Sequence, residues 1–179
     1  VAGWQPMLES VVRERYPRLV AYASFLTASR AEAEDLVQDA IVATFAGRAR
    51  FASLAEAESY LRRSVASRWV DRSRRRRIER SALARVAARE PGVVPPAEPA
   101  GIAPDLQQAL AALAPKVRAC VVLRHLDDQS VRDAASALGL SEGAVKRYTS
   151  DGVRALAAAL GVDAATETVL LDGGGDRDA

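Results

Sequence analysis

The chain has 179 residues, room for one medium domain or two small ones, and is 49% hydrophobic but only 5% aromatic. Much of the apolar content is alanine and β-branched runs are rare, so the expected fold class is all-α with small helical cores. One cysteine and one histidine exclude a disulfide framework and a Cys/His zinc site. No apolar run reaches membrane-spanning length and no basic-then-apolar leader pattern is present, so a soluble cytoplasmic protein is expected. The formal net charge of +2 conceals a segregation. Residues 1–60 carry six arginines against eight acids, residues 61–90 eleven against three, and residues 91–179 eight basic residues against twelve acids. The positive field is therefore concentrated in one segment.

In chain order, residues 4–28 carry Leu8, Val11, Val12, Leu19, Val20, Ala23, Phe25 and Leu26 at mainly helical spacing, with a kink or break expected at Pro17. Ser29 is placed to cap a second helix over residues 30–47, and Gly47 to stop it. The inner face of that helix is Ala33, Leu36, Val37, Ala40, Ile41, Thr44 and Phe45; Glu34, Asp35, Gln38 and Asp39 lie opposite. A loop over residues 48–54 contains Phe51. The run Tyr60 to Arg80 then reads as one helix, with Leu61, Val65 and Trp69 stacked on one face and Arg62, Arg63, Arg68, Arg72, Arg74 to Arg77 and Arg80 on the rest. A helix anchored on one side and cationic on the other suits phosphate backbones; the competing reading is a solvated charged face.

Residues 81–104 contain Pro91, Pro95, Pro96, Pro99 and Pro104 and read as a flexible Pro-rich linker after a frayed helical extension. Residues 105–162 form a second helical unit of four helices. Leu106, Ala109, Leu110 and Leu113 mark the first, and Pro115 opens the next, which runs through Val117, Val121, Val122 and Leu126. Ser130 caps a helix with Val131, Ala134, Ala135 and Leu138; Gly139-Leu140 makes a tight turn; Ser141 caps a last helix with Val145, Thr149, Gly152 and Leu156 inward. This is a helix-turn-helix pattern, with an ordinary αα-hairpin as the competing reading. Lys146, Arg147, Ser150 and Arg154 point away from the inner face, and the first two are best placed to reach bases or phosphates. The tail over residues 163–179 is acidic and is expected to be disordered beyond Leu171.

Two stretches carry a family resemblance. AEDLVQDAIVATFAG followed by SYLRRSVASRWVDRSRRRR resembles the second conserved domain of bacterial sigma factors, and LAALAPKVRACVVLRHLDDQSVRDAASALGLSEGAVKRYTSDGVRALAAAL resembles their fourth. Their order and separation are similar to the extracytoplasmic-function (ECF) group. The resemblance implies sigma domain two over residues 1–80 and sigma domain four over residues 105–162. Asp35, Gln38 and Asp39 would then contact the β′ clamp helices of core RNA polymerase. The arginine helix, with Arg62, Arg63, Arg74 and Arg75, and the loop around Phe51 and Leu54 would take the opened minus-ten element of promoter DNA. Ser141, Lys146, Arg147, Ser150 and Arg154 would serve the minus-thirty-five element, and an anti-sigma factor is an implied partner. The sequence departs from the family at Ser67, where asparagine is frequent, and at Tyr148 and Asp151, where many members are basic.

Competing functions are a helix-turn-helix regulator acting without polymerase and an RNA- or partner-binding helical adaptor. An enzyme is not expected: Cys120 reads as a core residue, His125 as structural, and no Gly-rich phosphate loop is present. No cofactor is expected.

Overall fold

The computed structural model describes residues 4–47, 49–86 and 102–161. The sequence-based linker therefore lies mostly, and the acidic tail wholly, outside the described residues. Among the described residues every regular element is helical, and none of these helices is long and apolar enough to cross a membrane.

Helix α1 (Trp4–Ser10), a wide π-turn (Val11–Arg15) and α2 (Tyr16–Ser24) follow one another without a gap. Of the kink or break expected at Pro17, the break does not occur, and the irregularity takes the form of the wide turn that ends at Tyr16. Pro17 sits in the first turn of α2, and the Tyr16 N–H donates five residues back to the Val11 carbonyl. Proline offers no N–H and its ring crowds the carbonyl four residues earlier, so widening the preceding turn preserves the helix where a regular turn would clash. Val12, expected inside, lies in this wide turn and is 49% exposed.

Helix α3 (Arg30–Ala46) begins as the sequence indicates. The Ser29 hydroxyl accepts from the Glu32 N–H at 3.2 Å, and the Glu32 carboxylate accepts from the Ala28 N–H at 3.1 Å. Its buried residues are Ala33, Leu36, Val37, Ala40, Ile41, Thr44 and Phe45, the whole inner face expected from periodicity. Helix α4 (Leu54–Val86) is longer than the segment read from sequence at both ends. Its start is fixed by Ser53, which accepts from the Glu56 N–H at 3.1 Å, while the Glu56 carboxylate accepts from the Ala52 N–H at 2.7 Å. Leu61 and Val65 are fully buried, and Trp69 packs half-buried on the same core.

The C-terminal unit consists of α5 (Pro104–Ala112), α6 (Pro115–Val121) running into a second π-turn (Val122–Leu126), α7 (Val131–Leu138) and α8 (Glu142–Leu160). Pro104, read as linker, instead opens α5, where its missing N–H costs nothing. Leu126, read as inward, is 45% exposed. Ser130 and Ser141 cap α7 and α8, accepting from the Asp133 and Ala144 N–H groups at 3.0 and 3.2 Å. Gly139 closes α7 in the left-handed region (φ 61°), and the Leu140 N–H returns to the Ala135 carbonyl at 3.0 Å. The buried face of α8 is Val145, Gly152, Val153 and Ala157; Thr149 and Leu156 are only half-buried. Gly152 is required by the close approach of α6, since a Cβ there would lie 2.4 Å from Val121 Cγ2.

Sequence alone suggested two units of loosely defined relative placement. In the structure they share one apolar cluster, in which Leu61 and Val65 of α4 join Cys120, Val122, Leu123, Ala134, Ala135 and Val145. Arg118 crosses the boundary. Only 5% exposed, it donates to the Phe25 carbonyl at 2.7 Å and the Thr27 carbonyl at 3.4 Å, and its guanidinium lies 5.4 Å from the Trp69 ring centroid. Burial pushes its pKa down to about 10, with Glu32 opposing.

Candidate polymerase and nucleic-acid interfaces

Three surfaces carry the sequence-predicted site residues. The first is the outer face of α3, where Asp35, Gln38 and Asp39 are exposed. They are not equivalent. The Gln38 side chain donates to the Tyr16 hydroxyl at 3.3 Å and Asp39 pairs with Arg72, whereas Asp35 has no side-chain partner among the described residues. Part of the arginine coat of α4 thus serves the fold: Arg72 holds Asp39, and Arg76 holds Glu32 at 2.9 Å.

The second surface is α4 and the loop before it. Arg74 and Arg75 are exposed and without side-chain partners among the described residues. Arg62 and Arg63 are engaged. Arg62 donates to Glu58 at 2.6 Å and to Asp127 at 2.8 Å, and lies 5.5 Å from the Tyr22 ring centroid. Arg63 donates to the Ser59 hydroxyl at 3.0 Å and to the Gln129 side-chain oxygen at 2.8 Å. Glu58 also meets Arg15 at 3.3 Å, so one polar network runs from the first π-turn through α4 to the loop before α7. Burial pushes the Asp127 carboxyl above the usual range, with Arg62, Gln129 and Arg63 opposing. On Arg62 burial works the other way, and Asp127 and Glu58 outweigh it to raise the guanidinium pKa. Sequence reasoning missed this network because nothing in the spacing of Asp127-Asp128-Gln129 tells which arginines it meets.

Phe51 is half-buried, 6.1 Å from Phe45 and 5.3 Å from Tyr60 between ring centroids, and Leu54 packs on the same core. Tyr60 is 43% exposed at the edge of this aromatic row, a planar surface beside the cationic helix that the sequence reading did not single out.

The third surface is the front of α8. Ser141, Lys146, Arg147 and Arg154 are exposed and Ser150 is half-buried. Lys146 has no side-chain partner among the described residues, and the Arg147 guanidinium lies 5.2 Å from the Tyr148 ring centroid. Asp151, a repulsive charge for phosphate if alone, is paired with Arg154, so the two cancel locally. Free cationic character is thereby concentrated on Lys146 and Arg147, in the first half of the second helix of a helix-turn-helix. Cys120 is fully buried and burial pushes its thiol up to about 12, as suits a core residue.

A helix-turn-helix unit joined to a bundle with a long cationic helix is the build of a protein that handles nucleic acid. The family model for sigma-70 region 2 matches residues 11–78, and that for sigma-70 region 4 matches residues 104–156. The chain is 33% identical over 138 residues to the RNA polymerase sigma-E factor of Streptomyces avermitilis, covering 77% of this chain and 76% of that one. It is 30% identical over 164 residues to the ECF RNA polymerase sigma factor SigM of Mycobacterium tuberculosis, covering 90% and 81%. Among solved structures, the fold is similar to that of the sigma factor RpoE in a co-crystal with the anti-sigma factor NepR from Bartonella quintana, with a TM-score of 0.64, 24% identity, and 89% of this chain and 99% of that one covered. The chain belongs to the ECF RNA polymerase sigma factors. It is a transcription initiation factor that directs RNA polymerase to promoters. A helix-turn-helix regulator acting without polymerase would account for region 4 alone and leave the region 2 match idle.

Proposed function

We propose that the three surfaces divide the work of initiation in the cytoplasm, with no catalysis by the chain itself. The outer face of α3 docks on the β′ clamp helices of core polymerase, with Asp35 the principal contact and Gln38 and Asp39 beside it. Helix α4 and the loop with Phe51 and Leu54 take the opened minus-ten strand. Arginine supplies both charge for the backbone and a plane for unstacked bases. The front of α8 reads the minus-thirty-five element through Lys146 and Arg147, with Ser141, Ser150 and Arg154 as flanking contacts. An anti-sigma factor competes with polymerase for the chain.

The observation that carries this reading is the distribution of free charge. Asp35 on α3, Arg74 and Arg75 on α4, and Lys146 on α8 have no intramolecular partner among the described residues, and they lie on the faces that the reading assigns to polymerase, the minus-ten strand and the minus-thirty-five element in turn. In vitro transcription with purified core polymerase tests it. Asp35→Arg lowers core affinity while leaving the helical fold intact, because an exposed carboxylate contributes little to stability. Unchanged core affinity reduces α3 to a solvated face. Asp39→Arg is less clean, because it also sets two arginines against each other at Arg72.

A further inference from the structure

We propose that the cleft between α4 and α7 is a binding site for a free guanine nucleotide. Its volume is about 520 Å³, within the range of small-ligand sites. One wall is a single stripe of α4: Tyr60, then Arg63 and Ser64, then Ser67 and Arg68, then Asp71. These positions recur at three- and four-residue steps and so share one helix face. The opposite wall is Asp133 and Ser136 of α7. Tyr60 to Arg68 spans about 12 Å along the helix at 1.5 Å per residue, comparable to a nucleotide from base to phosphate.

The polar groups of this cleft are largely unengaged. The side chains of Ser67, Asp71 and Ser136 make no hydrogen bond among the described residues. Arg68 uses only its Nε, toward Ser64 at 3.4 Å, and Arg63 uses one terminal nitrogen, toward Ser59 and Gln129. Each guanidinium keeps nitrogens for an anion. Ser67, which departs from the family's frequent asparagine, leaves the middle of the cleft open where a longer side chain would intrude.

The mixture of charge selects the ligand. Two aspartates balance the two arginines, so a bare polyanion gains little net attraction. A ligand with an anion at one end and N–H donors at the other suits both kinds of group. Arg63 and Arg68 take the phosphates. Tyr60, 43% exposed, offers its ring to a base. Asp133 takes the edge of that base. The Ser130 hydroxyl donates to one Asp133 oxygen at 2.8 Å, which fixes the carboxylate and leaves its other oxygen free. Among the common bases guanine alone presents two adjacent N–H donors on one edge; adenine, cytosine and uracil set an acceptor beside the donor. Tyr60 and Arg63 lie on the helix assigned above to the promoter strand, but Asp133 and Ser136 do not, and the test turns on them.

Isothermal titration calorimetry of the full chain with GDP, ADP, UDP and inorganic pyrophosphate reads the site. GDP binds saturably and about tenfold or more tightly than the other three. Asp133→Asn keeps the shape, lowers GDP affinity about tenfold, the factor for one charge-assisted hydrogen bond, and raises affinity for xanthosine diphosphate, whose extra carbonyl accepts from the new amide. Ser136→Gln, at an exposed position of α7, narrows the cleft, lowers GDP affinity, and serves if Asp133→Asn fails to fold. Anisotropy of a fluorescein-labelled oligothymidylate, with or without one central deoxyguanosine, is the same in the native chain and both variants. No GDP binding at millimolar concentration, or GDP binding that neither variant changes, overturns the site. ADP, UDP or pyrophosphate binding as tightly as GDP overturns the choice of guanine by Asp133. An oligonucleotide affinity that gains from the deoxyguanosine and loses that gain in Asp133→Asn gives the cleft to a strand and overturns the free nucleotide.

Discussion

Gly152 sets two opposing effects against each other within one helix. Glycine in a helix interior costs about 0.5–1 kcal/mol relative to alanine, so Gly152→Ala would stabilise an isolated α8. In the fold, the new Cβ would lie 2.4 Å from Val121 Cγ2 and 2.9 Å from Val117 Cγ1. Carbon atoms pack best at about 3.5–4.0 Å. Both neighbours are β-branched residues on α6 with essentially one helical rotamer, so relief requires α6 and α8 to separate. Overpacking of this kind costs about 1–3 kcal/mol, and two contacts under 3 Å place it in the upper half of that range. The expected net loss is about 1–2 kcal/mol. Gly143, one helix end away, has nothing within 4 Å of its Cβ position, so Gly143→Ala should gain about 0.5 kcal/mol. Urea unfolding of the full chain checks both, with midpoints displaced in opposite directions by about 1 M or less at an ordinary denaturant slope. A Gly152→Ala chain as stable as the native one would refute the claim that α6 and α8 need the missing side chain.

Arg118→Met keeps the aliphatic packing but removes two charge-assisted bonds and the stacking on Trp69; a loss of about 2–3 kcal/mol and a single urea transition splitting into two are expected, whereas one unshifted transition would deny the bridge. Burial and the Arg124 charge hold the His125 pKa below its usual value, with Asp128 opposing. The unfolded chain therefore takes up this proton first: the stability linked to His125 is complete above about pH 6.5 and declines as pH falls through that value. Thermal melts between neutral and mildly acidic pH should show a shallower decline in His125→Gln, and parallel curves would contradict the assignment. Lys146→Ala should reduce the salt slope of minus-thirty-five binding by about one unit if it meets phosphate, or change sequence preference if it meets a base; if neither moves, recognition lies elsewhere on α8.

The parts of the fold legible in the sequence are those written in local chemistry. The inner face of α3 follows from a clean 3.6-residue period between Ser29 and Gly47. The helix-turn-helix follows from Ser130, Gly139 and Ser141, each performing the capping role its residue type suggests. The start of α4 is written in the Ser53 and Glu56 pair of a capping box, but the apolar residues on either side of it, Phe51 and Leu54, do not by themselves mark where loop becomes helix. What local pattern could not supply was pairing across the chain. Arg62 and Asp127 are 65 residues apart, and an arginine bound to a distant carboxylate has the same local sequence as one bound to water. Arg118 is harder still, because an arginine within an apolar run gives no sign that two backbone carbonyls near residue 26 await it. The three arginines most important to the union of the two units, Arg62, Arg63 and Arg118, are those that composition alone would send to solvent.

The placement of the two tryptophans gives the chain a built-in optical reporter. Trp69 lies beneath the Arg118 guanidinium at the junction of the units, while Trp4 stands 6.4 Å from Phe45 within the N-terminal bundle. When the units part, the indole at the junction loses an adjacent cation and gains water, and its emission moves to longer wavelength. The other indole keeps its neighbours and its colour. Trp4→Phe therefore leaves a chain whose intrinsic fluorescence follows only the separation of the units, without any attached dye and on the timescale of stopped-flow mixing.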